Sequence, residues 1–253
     1  MIYYLGRGLG NATAFPRGFK MVSGVPGRRS YDSVTQTYGS SQYPSRPVAD
    51  RVSYNCIDYS NPKPETHGFP SNFDCPGGSC AQIHFPTCWD GVNLYKSDQS
   101  HVAYLSQIDN GVCPPTHPVL LPHLFYETYY AVYQIDSSGG GRFLLSTGDL
   151  TGYGYHGDFL NGWDPAVQEE AVSSCLASVG SGQIEDCPIL QANNDGAASS
   201  HCSLQPPLVN EQVTGILPAL PGCNPPTSGL AAVVQQNCPA NFTGTGPRLI
   251  PTV

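Results

Sequence analysis

The residues best placed to do chemistry lie between Gly148 and Asp164, in the run GDLTGYGYHGDFLNGWD. If residues 154–160 are extended, His156 and Asp158 point to the same face about 7 Å apart, near enough to share a metal ion, a water or a sugar hydroxyl. Tyr153, Tyr155 and Trp163 surround them, as aromatic side chains line carbohydrate sites, and glycines on both sides leave room for a ligand or another backbone. The competing reading is a Gly-rich turn with a surface histidine.

A second cluster, Cys113-Pro114-Pro115-Thr116-His117-Pro118-Val119, leads into a strand-like run. Alternation there puts His123, Phe125, Glu127 and Tyr129 on one face and Leu120, Leu124, Tyr126 and Val132 on the other, which makes one of them a core face. His101 and His84 complete the histidine set, although a lone strand histidine is more often a hydrogen-bonded core residue than a ligand. Asp90, Glu127, Asp149, Asp158 and Asp164 supply carboxylates beside aromatic or Gly residues, where one acid and one base for glycoside chemistry can be tuned apart. Spacing alone does not say which two face each other. Neither a Gly-x-Ser-x-Gly elbow nor a Walker-type phosphate loop is present.

The expected site is therefore one cleft. Glu127, His156 and Asp158 would be its catalytic groups, with Asp158 or Glu127 as acid or base. His101, His117, Tyr153, Tyr155 and Trp163 would bind substrate, the imidazoles holding hydroxyls or a divalent metal such as copper or zinc.

The elements that must position these residues are short. Strands are expected at 2–5, 18–23, 81–86 and 119–136, with a hairpin turning at residues 137–141 into 142–146. Residues 30–66 read as irregular loop with short strands. A helix is expected from the Asp164 N-cap and Pro165 to Val179, with Val167, Ala171, Val172 and Leu176 packed on a sheet and Gly180 as the stop. The class is mainly β, antiparallel and sandwich- or jelly-roll-like, with long disulfide-tied loops and one or two short helices. One β-rich domain over 1–205 and a Pro/Gly-rich tail over 206–253 account for the organisation.

Composition bounds the compartment and the partners. Among 253 residues there are 28 Gly and 24 Pro, so turns are dense and long helices scarce. A net charge of −8 with 11 Lys+Arg leaves no basic footprint for nucleic acid. No apolar run is long enough to span a bilayer. The ten cysteines, Cys56, Cys75, Cys80, Cys88, Cys113, Cys175, Cys187, Cys202, Cys223 and Cys238, include no CxxC and are expected to form mostly disulfides, with Cys175–Cys187 as a local pair. Sequons at Asn11 and Asn241 agree with a secretory route. The opening MIYYLGRGLG lacks a signal-peptide core and reads as a strand running into a turn, so either a leader has been lost or the chain starts inside a domain.

These motifs also carry a resemblance. FDCP at 73–76, FPTCWDG at 85–91, SHVAY at 100–104, Cys113-Pro114, His117-Pro118-Val119, Phe125-Tyr126-Glu127 and TGYGYHGDF at 151–159 stand in the order seen in the family called domain of unknown function nineteen ninety-six. The resemblance covers roughly residues 1–190. Members are mostly secreted fungal proteins, often joined to the carbohydrate-associated WSC module. It implies a secreted protein associated with cell wall or polysaccharide: a glycoside hydrolase or lyase-like enzyme, a non-catalytic carbohydrate-binding or structural glycoprotein, or a His-rich metal protein. Family members usually carry an earlier Ser-x-His-x-His segment that this sequence does not contain; if those histidines complete a site with His101, His117 and His156, this sequence carries only part of it.

Overall fold

The computed structural model describes residues 1–8, 10–31, 52–70, 74–107, 110–136, 139–176, 184–192, 215–217 and 219–228. Its strands are β1 Ile2–Leu5, β2 Lys20–Gly24, β3 Val52–Cys56, β4 Ser79–His84, β5 Cys88–Trp89, β6 Val102–Ala103, β7 Val119–Leu120, β8 His123–Tyr130 and β9 His156–Leu160. All pair antiparallel, in a four-stranded sheet of order β1-β8-β4-β3, a ribbon of β2 and β9, and a three-stranded sheet of order β6-β5-β7. The mainly β class stands; three small antiparallel sheets do not by themselves make a sandwich or jelly roll.

The core lies where one face of the four-stranded sheet meets the ribbon. Val52 and Tyr54 from β3, Ala81 and Ile83 from β4 and Leu124 from β8 pack with Phe15, Phe19, Met21 and Phe159. The period of two explains the division, because Leu124 and Tyr126 pack inward while Phe125 and Glu127 turn outward. On β9, Gly157 and Phe159 face the core; a Cβ at Gly157 would meet the Phe85 and Ile83 side chains at 3.0 and 3.1 Å. His156 and Asp158 are left on the opposite face of that strand.

Two sequence expectations need correction. The long strand over 119–136 is two strands in different sheets, because Pro122 has no N–H with which to continue a ladder. Beyond Tyr130 the chain enters a 3₁₀ turn at Val132–Gln134, and residues 141–145 form no strand. The hairpin fails for a topological reason: β8 is already flanked by β1 and β4, so no edge is free for a returning strand.

The helix begins as expected. Asp164 caps it, accepting from the Ala166 and Val167 amides at 3.0 and 3.1 Å, and Pro165 opens α1, Pro165–Glu170. The turns widen to π geometry over Ala171–Leu176, and the expected end at Val179 and Gly180 lies outside the described residues. Val172 is buried as expected, but so is Gln168, at 3% exposure, with no hydrogen-bond partner for its side-chain amide among the described residues. A short α2 follows at Pro188–Ala192.

Disulfides join Cys56 to Cys75, Cys88 to Cys113 and Cys175 to Cys187. Cys80, grouped with the disulfide cysteines in the sequence reading, is not paired. It is a free thiol buried on the outer side of β4, pushed up to about 11 by burial and by the Glu127 carboxylate. The side chains of Cys202, Cys223 and Cys238 lie outside the described residues, as does Asn241, while Asn11 is exposed.

Candidate functional site

The eight residues expected to share a cleft occupy separate environments. His101 is fully buried: its Nε2 bonds the Lys20 carbonyl at 2.7 Å, and the Lys96 amide donates to its Nδ1 at 3.3 Å. Both ring nitrogens serve the backbone, and the ring packs on Phe19 at 5.5 Å. Burial holds its pKa below the usual histidine value. His101 is a core tie between the ribbon and the loop before β6. His117 is half-buried on the surface, between the Thr116 hydroxyl at 2.9 Å and the Ser100 carbonyl at 3.1 Å.

Glu127 points to the outer face of the four-stranded sheet. There Gln82 Nε2 donates to its Oε1 at 3.1 Å and the Tyr3 hydroxyl to its Oε2 at 3.2 Å, while Ser53 donates to Gln82 Oε1 at 3.0 Å. On the same face His84 Nδ1 and His123 Nε2 share a hydrogen bond of 2.9 Å, and His123 Nδ1 bonds Thr87 Oγ1 at 2.9 Å. The Thr87 hydroxyl also donates to the Phe85 carbonyl at 3.3 Å, so Phe85, Thr87, His123 and His84 form one hydrogen-bonded chain.

His156 and Asp158 do share a face of β9, as the two-residue spacing predicts. Asp158 is exposed. Trp163 is drawn away from them: its indole N–H donates to the Tyr4 hydroxyl at 3.0 Å, with the rings edge to face at 5.4 Å. Tyr153 belongs to a stack of rings in which Tyr31 lies 4.1 Å from His67 and 6.4 Å from Tyr153.

The other carboxylates with glycoside potential have structural partners. Asp149 is fully buried; its Oδ1 accepts from the Thr151 amide and hydroxyl at 2.7 and 2.6 Å, its Oδ2 from the Gly154 amide at 2.7 Å, and Arg29 Nε lies 3.5 Å away. Asp90 closes a turn. Burial would raise its pKa, but donors from Asn93 and Val92 hold it at about 2. Asp164 is the helix cap.

The glycines of this loop are approached by the protein's own chain. A Cβ at Gly154 would stand 2.6 Å from the Pro26 carbonyl, and one at Gly148, whose φ is +85°, would collide with that of Pro225. Thr227 then pairs with the same loop: its amide donates to the Gly148 carbonyl at 2.7 Å and its carbonyl accepts from Leu150 at 3.1 Å.

This clamped loop walls one side of a cavity of about 600 Å³. Tyr54, Phe69, Tyr130, Phe143, Tyr155 and His156 are prominent in its lining. Tyr54 donates its hydroxyl to the Gly152 carbonyl at 2.8 Å and Tyr155 bonds Thr128 at 3.0 Å, so ring carbons dominate what the walls present. Of the nominated residues, only Tyr155 and His156 reach this space. Sequence reading missed Tyr54, Phe69 and Phe143, which come from distant segments, and it missed a surface group. Tyr129 and Tyr133 are 52% and 53% exposed, Tyr59 is 89% exposed, and both of the others act electrostatically on the Tyr129 hydroxyl.

Among the described residues no group of three or more His, Cys, Asp or Glu is placed to hold a metal ion, and no helix is long and apolar enough to cross a membrane. No curated protein and no solved structure matches the chain. The family comparison is positive: a model described as domain of unknown function (DUF1996) matches residues 1–163, well over half of the 253-residue sequence, ending one residue before the helix cap, and the chain belongs to that family.

Proposed function

We propose that this is a secreted fungal glycoprotein that binds cell-wall polysaccharide without cleaving it. The observation that carries this reading is the engagement of the carboxylates. Asp90, Asp149 and Asp164 are held by backbone and side-chain donors, and Glu127 is tied to Tyr3 and Gln82 on the outer sheet face. Glycoside hydrolysis needs an acid and a base across one bond, roughly 5–10 Å apart. Exposed Asp158 belongs to the ribbon, and Glu127 turns away from the ribbon side of its sheet.

Tyr59, Tyr129 and Tyr133 supply what sugar binding requires instead, exposed rings on which pyranose faces stack while their hydroxyls stay hydrated. Three disulfides among the described residues and the exposed sequon asparagine Asn11 support an oxidising, extracellular setting. Co-sedimentation with insoluble glucan, chitin and plant cell-wall polysaccharide tests the proposal. Retention that falls at least fivefold in the Tyr129→Ala/Tyr133→Ala protein supports it, and equal retention of both proteins, or none, rejects it.

A further inference from the structure

We propose that the cavity behind β8 is a binding site for a hydroxylated aromatic small molecule. The site is independent of the glycan reading, because Tyr129 and Tyr130 alternate to opposite faces of β8 and only Tyr130 lines the cavity. At about 600 Å³ the space lies within the range of pockets for single small ligands.

The walls select the class of ligand. Five aromatic rings, Tyr54, Phe69, Tyr130, Phe143 and Tyr155, border the space, and the Tyr54 and Tyr155 hydroxyls already have protein partners. Such walls suit the faces and edges of another ring. A sugar would set hydroxyl groups against carbon with few polar partners.

Ser79, Ser146, Thr147 and His156 add polar side chains to the lining, and the last two say that the ligand is not a plain hydrocarbon. Thr147 lines the cavity, and its Oγ1 is buried with no hydrogen-bond partner among the described residues. His156 also lines it and uses Nδ1–H on the Gly154 carbonyl at 3.0 Å, which makes Nε2 of the neutral ring an acceptor. A ligand hydroxyl donates to His156 Nε2, and the Thr147 hydroxyl donates to a ligand oxygen. An acyl chain would leave the Thr147 hydroxyl buried and unpaired, which is costly. The loop is built to hold Thr147 still: Asp149 fastens it to Arg29, and Thr227 pairs with Gly148 and Leu150.

The test is calorimetric titration of the disulfide-intact full chain with 2-naphthol, naphthalene, 1-octanol and cellobiose. The expected result is saturable one-to-one binding of 2-naphthol, with each of the other three at least tenfold weaker. Thr147→Val, which keeps the side-chain shape, is expected to weaken 2-naphthol binding about two- to tenfold while leaving naphthalene unchanged. Leu145→Trp, which fills the space, is expected to abolish binding; if that protein does not fold, the Thr147→Val comparison decides alone. Failure of 2-naphthol to saturate, naphthalene or octanol binding as tightly, cellobiose binding more tightly, or identical affinities in wild type and Thr147→Val would each overturn the proposal.

Discussion

The outer face of the four-stranded sheet and the cavity at its other face both set polar groups beside aromatic ones, but they use them differently. Outside, Tyr3, Glu127, Gln82 and Ser53 form a connected chain, and Thr87, His123 and His84 form another. Titratable side chains are dense there, yet these bonds are made within the protein. At the cavity carboxylates are absent from the lining, the walls are mostly ring and aliphatic carbon, and the Thr147 hydroxyl has no partner among the described residues. In this fold the types of residue that suggest catalysis mark internal bracing, and room for a ligand lies where the sequence looks merely aromatic.

If the cavity loop is braced by Asp149, removing that charge gives the largest effect. Asp149→Ala leaves Arg29 buried at 4% exposure without its carboxylate and strips the Thr151 and Gly154 donors of their acceptor. A loss of about 3–5 kcal/mol is expected in chemical denaturation. A loss below about 1 kcal/mol would mean that the loop is held by something else.

Covalent bracing comes next. The Cys56–Cys75, Cys88–Cys113 and Cys175–Cys187 bridges close 19, 25 and 12 residues. Each is expected to contribute about 3 kcal/mol from loop closure. Reductant should therefore lower the melting temperature steeply. Cys80 is expected to resist alkylation until the chain unfolds, since its thiol is buried and its pKa raised to about 11. Ready labelling of Cys80 in the native protein would remove the outer face from the buried framework.

A smaller effect should follow pH. Burial depresses the folded-state pKa of His101 below its ordinary value of 6.5, and does the same to His67. Between the folded value and 6.5 the unfolded chain binds more protons, so stability rises with pH there. It should be fully present above about 6.5 and fall as pH drops toward the folded values. Melting temperatures measured from pH 7.5 to pH 5 should decline, and His101→Gln should flatten the decline without removing the His67 part. An unchanged slope would mean that His101 titrates as a solvated ring.

The smallest effect is expected at Asp158. It is exposed and shares its strand face with His156, so Asp158→Asn should leave the melting temperature and glycan retention at wild-type values. Loss of either would return Asp158 to the candidate site.

Local signals in the sequence were legible where local physics decides. Alternation and turn residues located β1, β2 and β4, the Asp164-Pro165 pair located the helix start, and the short spacing picked out Cys175–Cys187. The family motifs gave the DUF1996 assignment. Illegible features depend on which segments meet. The hairpin expectation failed because β1, more than 100 residues earlier in the chain, occupies the edge of β8. His101 was nominated as a ligand because its partner, the Lys20 carbonyl, is 81 residues away. The cavity joins Tyr155 of the Gly-rich run to Tyr54, Phe69 and Phe143, which come from three stretches that carry no site signature.

Binding without cleavage is tested most directly by incubating the protein with insoluble wall polysaccharide and measuring both the retained protein and the reducing ends released. Saturable retention with no reducing ends above the protein-free control, and loss of retention in Tyr129→Ala/Tyr133→Ala, is the predicted result. Release of soluble sugars by the wild type that disappears in Glu127→Gln or Asp158→Asn would contradict the account and make the protein a hydrolase.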